Sequence, residues 1–229
     1  MQQKNVIFDF NGVLLWDSHL HELVWREYAL KLRGTPLTHK ELHDHFHGRN
    51  NKACFEYLLK REVLDKELQE LIHERESTYK KLCLENKDEF VLSPGSKMLL
   101  DYLVKQKIPH TIATSAEKSN VDFFFKHLHL DTWFNIALVA YDDGSMPGKP
   151  APDVYLKAAN ILHADPADCL VIEDAKSGIQ AAYNAHIGTI VALGPREAHP
   201  VLQKLPGVSS VITNLGELLL QIEKDLGVA

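Results

Sequence analysis

Four places in this 229-residue chain carry residue types that do chemistry. Asp9 opens the run Asp9-Phe10-Asn11-Gly12. Two hydroxyls sit side by side at Thr114-Ser115, a lysine lies in Gly148-Lys149-Pro150, and an acidic pair stands at Glu173-Asp174. Gathered in one crevice, a carboxylate, a hydroxyl, a cation and an acidic pair suit a divalent metal and a phosphoryl group. A buried carboxylate can attack phosphorus and divide one difficult displacement into two. Magnesium takes oxygen ligands, typically one or two carboxylates with phosphate and water, and Asp9 with Glu173-Asp174 can supply them. Such a metal offsets the repulsion between anionic nucleophile and anionic substrate. Lys149 can neutralise charge on the transferring group and Thr114 can donate a hydrogen bond to it. The helix after Thr114-Ser115 points its N-terminal N–H groups at the same place, and Gly12 permits a tight turn beside the metal.

The hydrophobic pattern supplies elements to position these groups. A short apolar run at 5–10 reads as a strand, and an amphipathic helix follows at 18–32, stopped by Gly34 and Pro36. From 38 to 89 the chain is charge-rich and helical in pattern, with Leu68, Leu71, Ile72, Tyr79 and Leu82 on one face and the dense charges of 65–81 read as an outward face. After Ser93-Pro94-Gly95 the texture changes. Helices at 96–105, 118–128, 152–162 and 178–184 alternate with strands at 109–114, 136–139, 169–172 and 189–193. A last strand at 208–212 and a last helix at 215–226 follow. Alternation of this kind predicts crossover units and a mostly parallel sheet, an α/β fold with an all-helical insert over it. In such a sheet, ligands bind beyond the carboxyl ends of the strands, where Asp9, Thr114 and Glu173-Asp174 fall.

Composition narrows the function classes. Hydrophobic residues make up 45% and charged residues 24%, an ordinary globular balance that excludes disorder as the main state. The net charge of −6, without a basic cluster, argues against nucleic-acid binding. No apolar run is long enough to span a membrane, and the early strand pattern leaves no room for a signal peptide. Three scattered cysteines (Cys54, Cys83, Cys169) form neither a disulfide framework nor a zinc motif, which points to a reducing cytoplasm. His43, His45 and His47 do not share one helix face and read as ordinary histidines, and Asp142-Asp143-Gly144 reads as a solvated turn. Glu173-Asp174 also suits the N-cap of the following helix.

Asp9-Phe10-Asn11-Gly12-Val13, Thr114-Ser115, Gly148-Lys149-Pro150-Ala151-Pro152-Asp153 and Val171-Ile172-Glu173-Asp174-Ala175-Lys176-Ser177-Gly178 resemble, in order, the four motifs of the haloacid dehalogenase (HAD) superfamily. The last two stretches are most similar to the beta-phosphoglucomutase-like subfamily. The resemblance implies a Rossmann-like parallel core at 1–16 and 91–229, with a helical cap at 17–90. It implies that Asp9 is the nucleophile and a Mg2+ ligand, that Thr114 (or its neighbour Ser115) binds the phosphoryl group, and that Lys149 neutralises it. Asp174 would ligate the metal, Glu173 would ligate it or stand beside it, and Asn11 would offer its backbone carbonyl. His21 on the first cap helix and Arg49 in His47-Gly48-Arg49-Asn50 are the implied cap contacts to substrate, Arg49 by a bidentate grip on phosphate or carboxylate. The implied partner is a small phosphorylated metabolite, probed by a monomer or weak dimer.

One position departs from the family pattern. Family phosphatases and mutases carry a second Asp where this chain has Asn11. That Asp protonates the leaving oxygen, and an amide cannot trade protons at neutral pH. Loss of such a group costs ~10²–10⁴ in rate. Four readings stay open: a slow enzyme or one for good leaving groups, a different proton carrier with His21 first in line, a binder of phosphorylated ligands without turnover, or an introduced substitution. The expected function is a magnesium-dependent phosphatase, with a sugar phosphomutase and a non-catalytic binder as alternatives. Haloacid dehalogenases proper also lack the second Asp but need no metal, against the acidic pair. Phosphonoacetaldehyde hydrolases also lack it and use a cap lysine as a Schiff base; Lys52 and Lys60 lie in the cap, with no other support for that chemistry.

Overall fold

Asn5–Phe8 (β1) is buried from Val6 onward on both sides, which fits a strand at the centre of a parallel sheet. The computed structural model describes residues 5–226; 1–4 and 227–229 of the expected core lie outside the described residues. After β1 come four helices in succession: α1 (Ser18–Arg33), α2 (His39–His45), α3 (Asn51–Leu59) and α4 (Asp65–Glu85). Then α5 (Ser96–Lys105), β2 (His110–Glu117), α6 (Lys118–Leu128), β3 (Ala140–Asp142), α7 (Asp153–Ile161), β4 (Cys169–Glu173) and α8 (Lys176–Asn184) alternate. β5 (Thr189–Leu193), α9 (His199–Leu202), β6 (Val208–Ile212) and α10 (Leu215–Leu226) complete the fold.

The six strands run parallel in the order β3-β2-β1-β4-β5-β6. Strand order reverses between β1 and β4, so the crevice expected of an open α/β sheet opens there. Phe8 lies beside Ile172 in that pairing, which places Asp9 next to the end of β4. Side chains alternate across the sheet. Val6, Phe8, Ile112 and Ile172 pack on one face toward α5, α6 and α10, while Ile7, Ala113 and Val171 pack on the other toward α7 and α8.

The inserted helices are specified locally. Thr38 and Glu41 form a reciprocal capping box at the start of α2, Asn50 caps α3, and Gly34 ends α1 in the left-handed conformation at φ 73°. The α1 stripe Leu20, Val24, Trp25 and Tyr28 is buried, and Trp25 meets Phe46 and Phe55 edge-on at 5.2 and 5.0 Å.

Three expectations are corrected. The apolar run at 136–139 is not a strand: Ile136–Leu138 is a 3-10 turn, and the strand follows at Ala140–Asp142. The Asn135 side chain accepts from the Ala137 N–H and coils the chain there, a local alternative to a ladder. Second, β2 does not end at Thr114 but runs three residues further to Glu117, with α6 beginning at Lys118 as expected. Third, the charged stretch 65–81 is not simply an outward face. Arg75 and Glu76 are buried, because Ile72, Arg75, Glu76, Tyr79 and Cys83 follow the i, i+3, i+4, i+7 stripe that α4 turns inward.

Below the crevice, Phe10 stacks on Phe124 of α6 with ring centroids 4.5 Å apart. Phe124→Ala removes this fully buried support, and urea unfolding is expected to register a loss of about 3–5 kcal/mol. An unchanged midpoint would show that the pair carries no packing energy.

Candidate active site

Asp9 is the first residue beyond β1, its backbone N–H donating to the Ile172 carbonyl at 3.0 Å. The chain then turns at Gly12 with φ +87°, and a Cβ there would fall 2.1 Å from Asp174 Oδ2. Only glycine lets this loop lie against the acidic pair. Across the crevice, the fully buried Lys149 Nζ donates to Asp9 Oδ1 at 2.7 Å and to Glu173 Oε1 at 2.7 Å. Tyr155 of α7 lies 3.1 Å from the same Nζ and donates to Glu173 Oε1 at 3.0 Å, while the Ala175 N–H donates to Glu173 Oε2 at 2.8 Å. Both Glu173 oxygens are therefore engaged in holding Lys149 and the start of α8. Ligand atoms of Asp9, Glu173 and Asp174 lie within 4.8 Å of one another, a carboxylate cluster able to hold a metal ion. His43, His45 and His47 are not in it: His45 stacks on Tyr57, and His47 faces Glu22.

The electrostatics follow from burial. Removal from water pushes the Asp9 carboxyl up to about 7, with Lys149 opposing and Glu173 adding to the rise. Asp174 is pushed well above the usual carboxylate range, by burial first and then by Glu173 and Asp9. Burial works against the Lys149 charge, yet Asp9 and Glu173 hold its pKa above the ordinary lysine value. The three carboxyl groups, Asp9, Glu173 and Asp174, face one ammonium, and a divalent cation fits that imbalance.

The cap side of the cleft, a space of about 750 Å³ including its open mouth, is lined by His21, Trp25, Arg49 and Arg75. Thr114, Ser115, Asn11 and Asp174 line it from the core side. Thr114 is buried, its Oγ1 accepting from the Ala116 N–H at 3.1 Å. Ser115 faces the cap instead: its Oγ donates to the Gly48 carbonyl at 2.9 Å. Ser177 donates to the His47 carbonyl at 2.7 Å, and Arg49 donates to the Lys149 carbonyl at 2.8 Å. Gly48, at φ +70°, permits this close seat, since a Cβ there would lie 2.5 Å from Ser177 Oγ.

The sequence reading missed Asp17. It is 1% exposed and joins the loop after β1 to the inserted helices. Asn11 Nδ2 donates to its Oδ2 at 2.7 Å, the Tyr79 hydroxyl donates to the same oxygen, and His21 Nε2 lies 3.2 Å away. Although burial opposes ionisation, His21 and the hydrogen bonds from His21, Tyr79 and Asn11 hold the Asp17 carboxyl below its ordinary value. Arg75 donates to His21 Nδ1 and to Glu76. Glu76 in turn accepts from Asn51 of the cap at 2.8 Å and from Asn120 of α6 at 2.7 Å. A polar chain therefore runs from Asn11 through the cap to the core helix beyond β2. The inward stripe of α4 was its sequence signal; Asp17 showed none beyond its place before a helix.

Asp9 binds its proton more tightly folded than unfolded, so the stability it contributes is present at low pH and is lost as pH rises from about 4 to about 7. The metal-free protein is expected to melt higher at pH 5 than at pH 8, and Asp9→Asn is expected to shrink that difference. Magnesium is expected to raise the melting temperature more at pH 8 than at pH 5. Calorimetry with and without chelator checks all three.

Residues 3–186 match the family of haloacid dehalogenase-like hydrolases. Beta-phosphoglucomutase of Bacillus subtilis is 30% identical over 225 residues, covering 96% of this chain and 93% of that protein. A phosphorylated carbohydrates phosphatase of Thermotoga maritima is 28% identical, covering 81% and 82%. Among solved structures, a family IA, variant 3 HAD hydrolase from Entamoeba histolytica superposes with a TM-score of 0.84 at 35% identity, over 97% of this chain and 98% of that one. With its parallel core, inserted helices and four motifs in one crevice, the chain belongs to the haloacid dehalogenase-like hydrolases, in the beta-phosphoglucomutase-like group of HAD-type phosphatase and phosphomutase enzymes.

Proposed function

We propose that the chain is a magnesium-dependent phosphatase of small phosphorylated metabolites, sugar phosphates foremost, working through an aspartyl-phosphate at Asp9. The observation that carries this reading is the buried Asp9 carboxylate held at 2.7 Å by Lys149, with Glu173 and Asp174 clustered beside it. The Thermotoga maritima and Bacillus subtilis relatives, named for phosphorylated carbohydrates and for a phosphoglucomutase, support the substrate class.

In this reading Asp9 Oδ attacks phosphorus and Lys149 balances the charge gathered on the transferring oxygens. Thr114 donates to the phosphoryl group. Asp9, Asp174 and the Asn11 backbone carbonyl would hold magnesium, whose charge, when bound, offsets that of nucleophile and phosphate. Glu173, with both oxygens occupied, keeps Lys149 in place. Arg49 and His21 meet the rest of the substrate from the cap. The cap at 17–90 excludes water by closing on the core at 1–16 and 91–229, and Ser115 serves that closure through Gly48. The setting is the cytoplasm, consistent with three buried free cysteines and with no described helix long and apolar enough to cross a membrane. The working assembly is a monomer or weak dimer.

A second reading, a sugar phosphomutase, draws on the Bacillus subtilis relative. It needs proton transfer twice, and Asn11 weakens it.

Phosphate release from a panel of sugar phosphates is expected to require magnesium and to fall at least ~10²-fold in Asp9→Asn. Arg49→Ala is expected to raise KM about tenfold with kcat little changed. Release that persists in Asp9→Asn or in chelator overturns the reading. Interconversion of hexose 1- and 6-phosphates with little free phosphate favours the mutase.

A further inference from the structure

The cleft holds several titratable groups, and their donor and acceptor roles leave none of them aimed to protonate a substrate's leaving oxygen. Asn11 lines the cleft beside Asp9. One Nδ2 hydrogen is given to Asp17, and an amide releases neither of its hydrogens at neutral pH, while its carbonyl oxygen is an acceptor. His21 comes next. Arg75 can only donate, so His21 Nδ1 is an acceptor and the ring's one proton sits on Nε2, facing Asp17 Oδ2 at 3.2 Å. Giving that proton up would leave an imidazolate. His47 repeats the arrangement, with Nε2 at 3.1 Å from Glu22 Oε1, and burial disfavours its charged form. Glu76 accepts from Arg75, Asn51 and Asn120, and is an acceptor on every side. Lys149 spends its protons on Asp9 and Glu173, and Asp174 belongs to the metal-ligand set.

We infer that this chain selects phosphates whose leaving group departs as a stabilised anion: acyl, enol and anomeric phosphates, in preference to phosphates of primary alcohols. The inference rests on the phosphatase reading above and deepens its substrate class. In the first step the Asp9 Oδ–P bond forms and the P–O bond to the leaving group breaks. The electron pair stays on the leaving oxygen, which leaves as a carboxylate, enolate or ring-stabilised alkoxide and takes its proton from solvent. In the second step water, its hydrogen accepted by the Asn11 carbonyl, attacks phosphorus. The Asp9–P bond breaks, the carboxylate is restored, and the water's proton passes to the released phosphate. The same geometry explains the amide. A carboxylate at position 11 would lie 2.7 Å from Asp17, and the two would have to share a proton. Asn11 instead gives Asp17 a donor.

The test is a series of similar bulk and falling leaving-group acidity: 4-nitrophenyl, phenyl and benzyl phosphate, assayed with magnesium. For the native chain, kcat/KM is expected to fall by ~10² or more from the first to the last. Asn11→Asp creates a carboxyl pair with one shared proton. It is expected to raise benzyl phosphate turnover relative to 4-nitrophenyl phosphate by ~10² or more, flattening the series. The double variant Asn11→Asp, Asp17→Asn keeps one amide and one carboxylate in the pair, and is expected to flatten the series in the same way if the single variant folds poorly. Native turnover of benzyl phosphate within about tenfold of 4-nitrophenyl phosphate, or a slope that neither variant changes, overturns the inference and leaves the phosphatase reading standing. No release from any of the three compounds overturns both.

Discussion

The structure turns on one buried ammonium. Lys149 Nζ, fully removed from solvent, sits between Asp9 and Glu173 at 2.7 Å from each. Burying any one of these charges alone would be prohibitive, and they are tolerable only together with their hydrogen bonds. The requirement reaches far into the fold. It brings the end of β1, the end of β4 and the 148–150 loop to one point, and it requires Tyr155 of α7 and the Ala175 N–H to satisfy Glu173. The strand-order reversal between β1 and β4 makes a crevice; the ammonium makes that crevice a charged one.

The cap is joined to this centre by polar bonds as well as by packing. Asp17 collects Asn11, Tyr79 and His21, and Arg75 passes the chain on to Glu76 and so to Asn120 on the core. The two carboxylates, Asp17 and Glu76, are the sinks of these bonds. Arg75 also lies 4.6 Å over the Trp25 ring, which ties the polar chain to the aromatic centre of the cap. Such a network fixes the protonation pattern of its members. His21, which in sequence is the natural substitute acid, is thereby a link between Asp17 and Arg75. Ser115, an alternative phosphate donor in sequence, is a seat for the Gly48 turn.

Much was legible in the chain because some signals are local. Short apolar runs gave five of the six strands, and the capping box at Thr38 is readable from Thr and Glu three apart. The strand at 136–139 was misread because four apolar residues carry no period, and a single Asn135 side chain decided between ladder and turn. Arg75 and Glu76 were misread because charge suggested solvent, although the stripe around them pointed inward. A buried charge is permitted only by a partner from elsewhere in the chain, and Asn120 lies 44 residues from Glu76.

The sequence alone determined the alternating α/β order, the helical insert after β1, and the residue types that can hold a metal and a phosphoryl group. Those follow from side-chain period, turn residues and the chemistry of single groups. Tertiary structure decided which of them face one another and which donor meets which acceptor. It engaged both oxygens of Glu173, leaving Asp174 the freer ligand; it turned Ser115 to the cap; and it made Asp17, a residue with no motif, the acceptor that fixes Asn11. The physical reason is that donor and acceptor roles depend on partners a few ångströms away in space, and those partners come from strands and helices that only the folded sheet brings together.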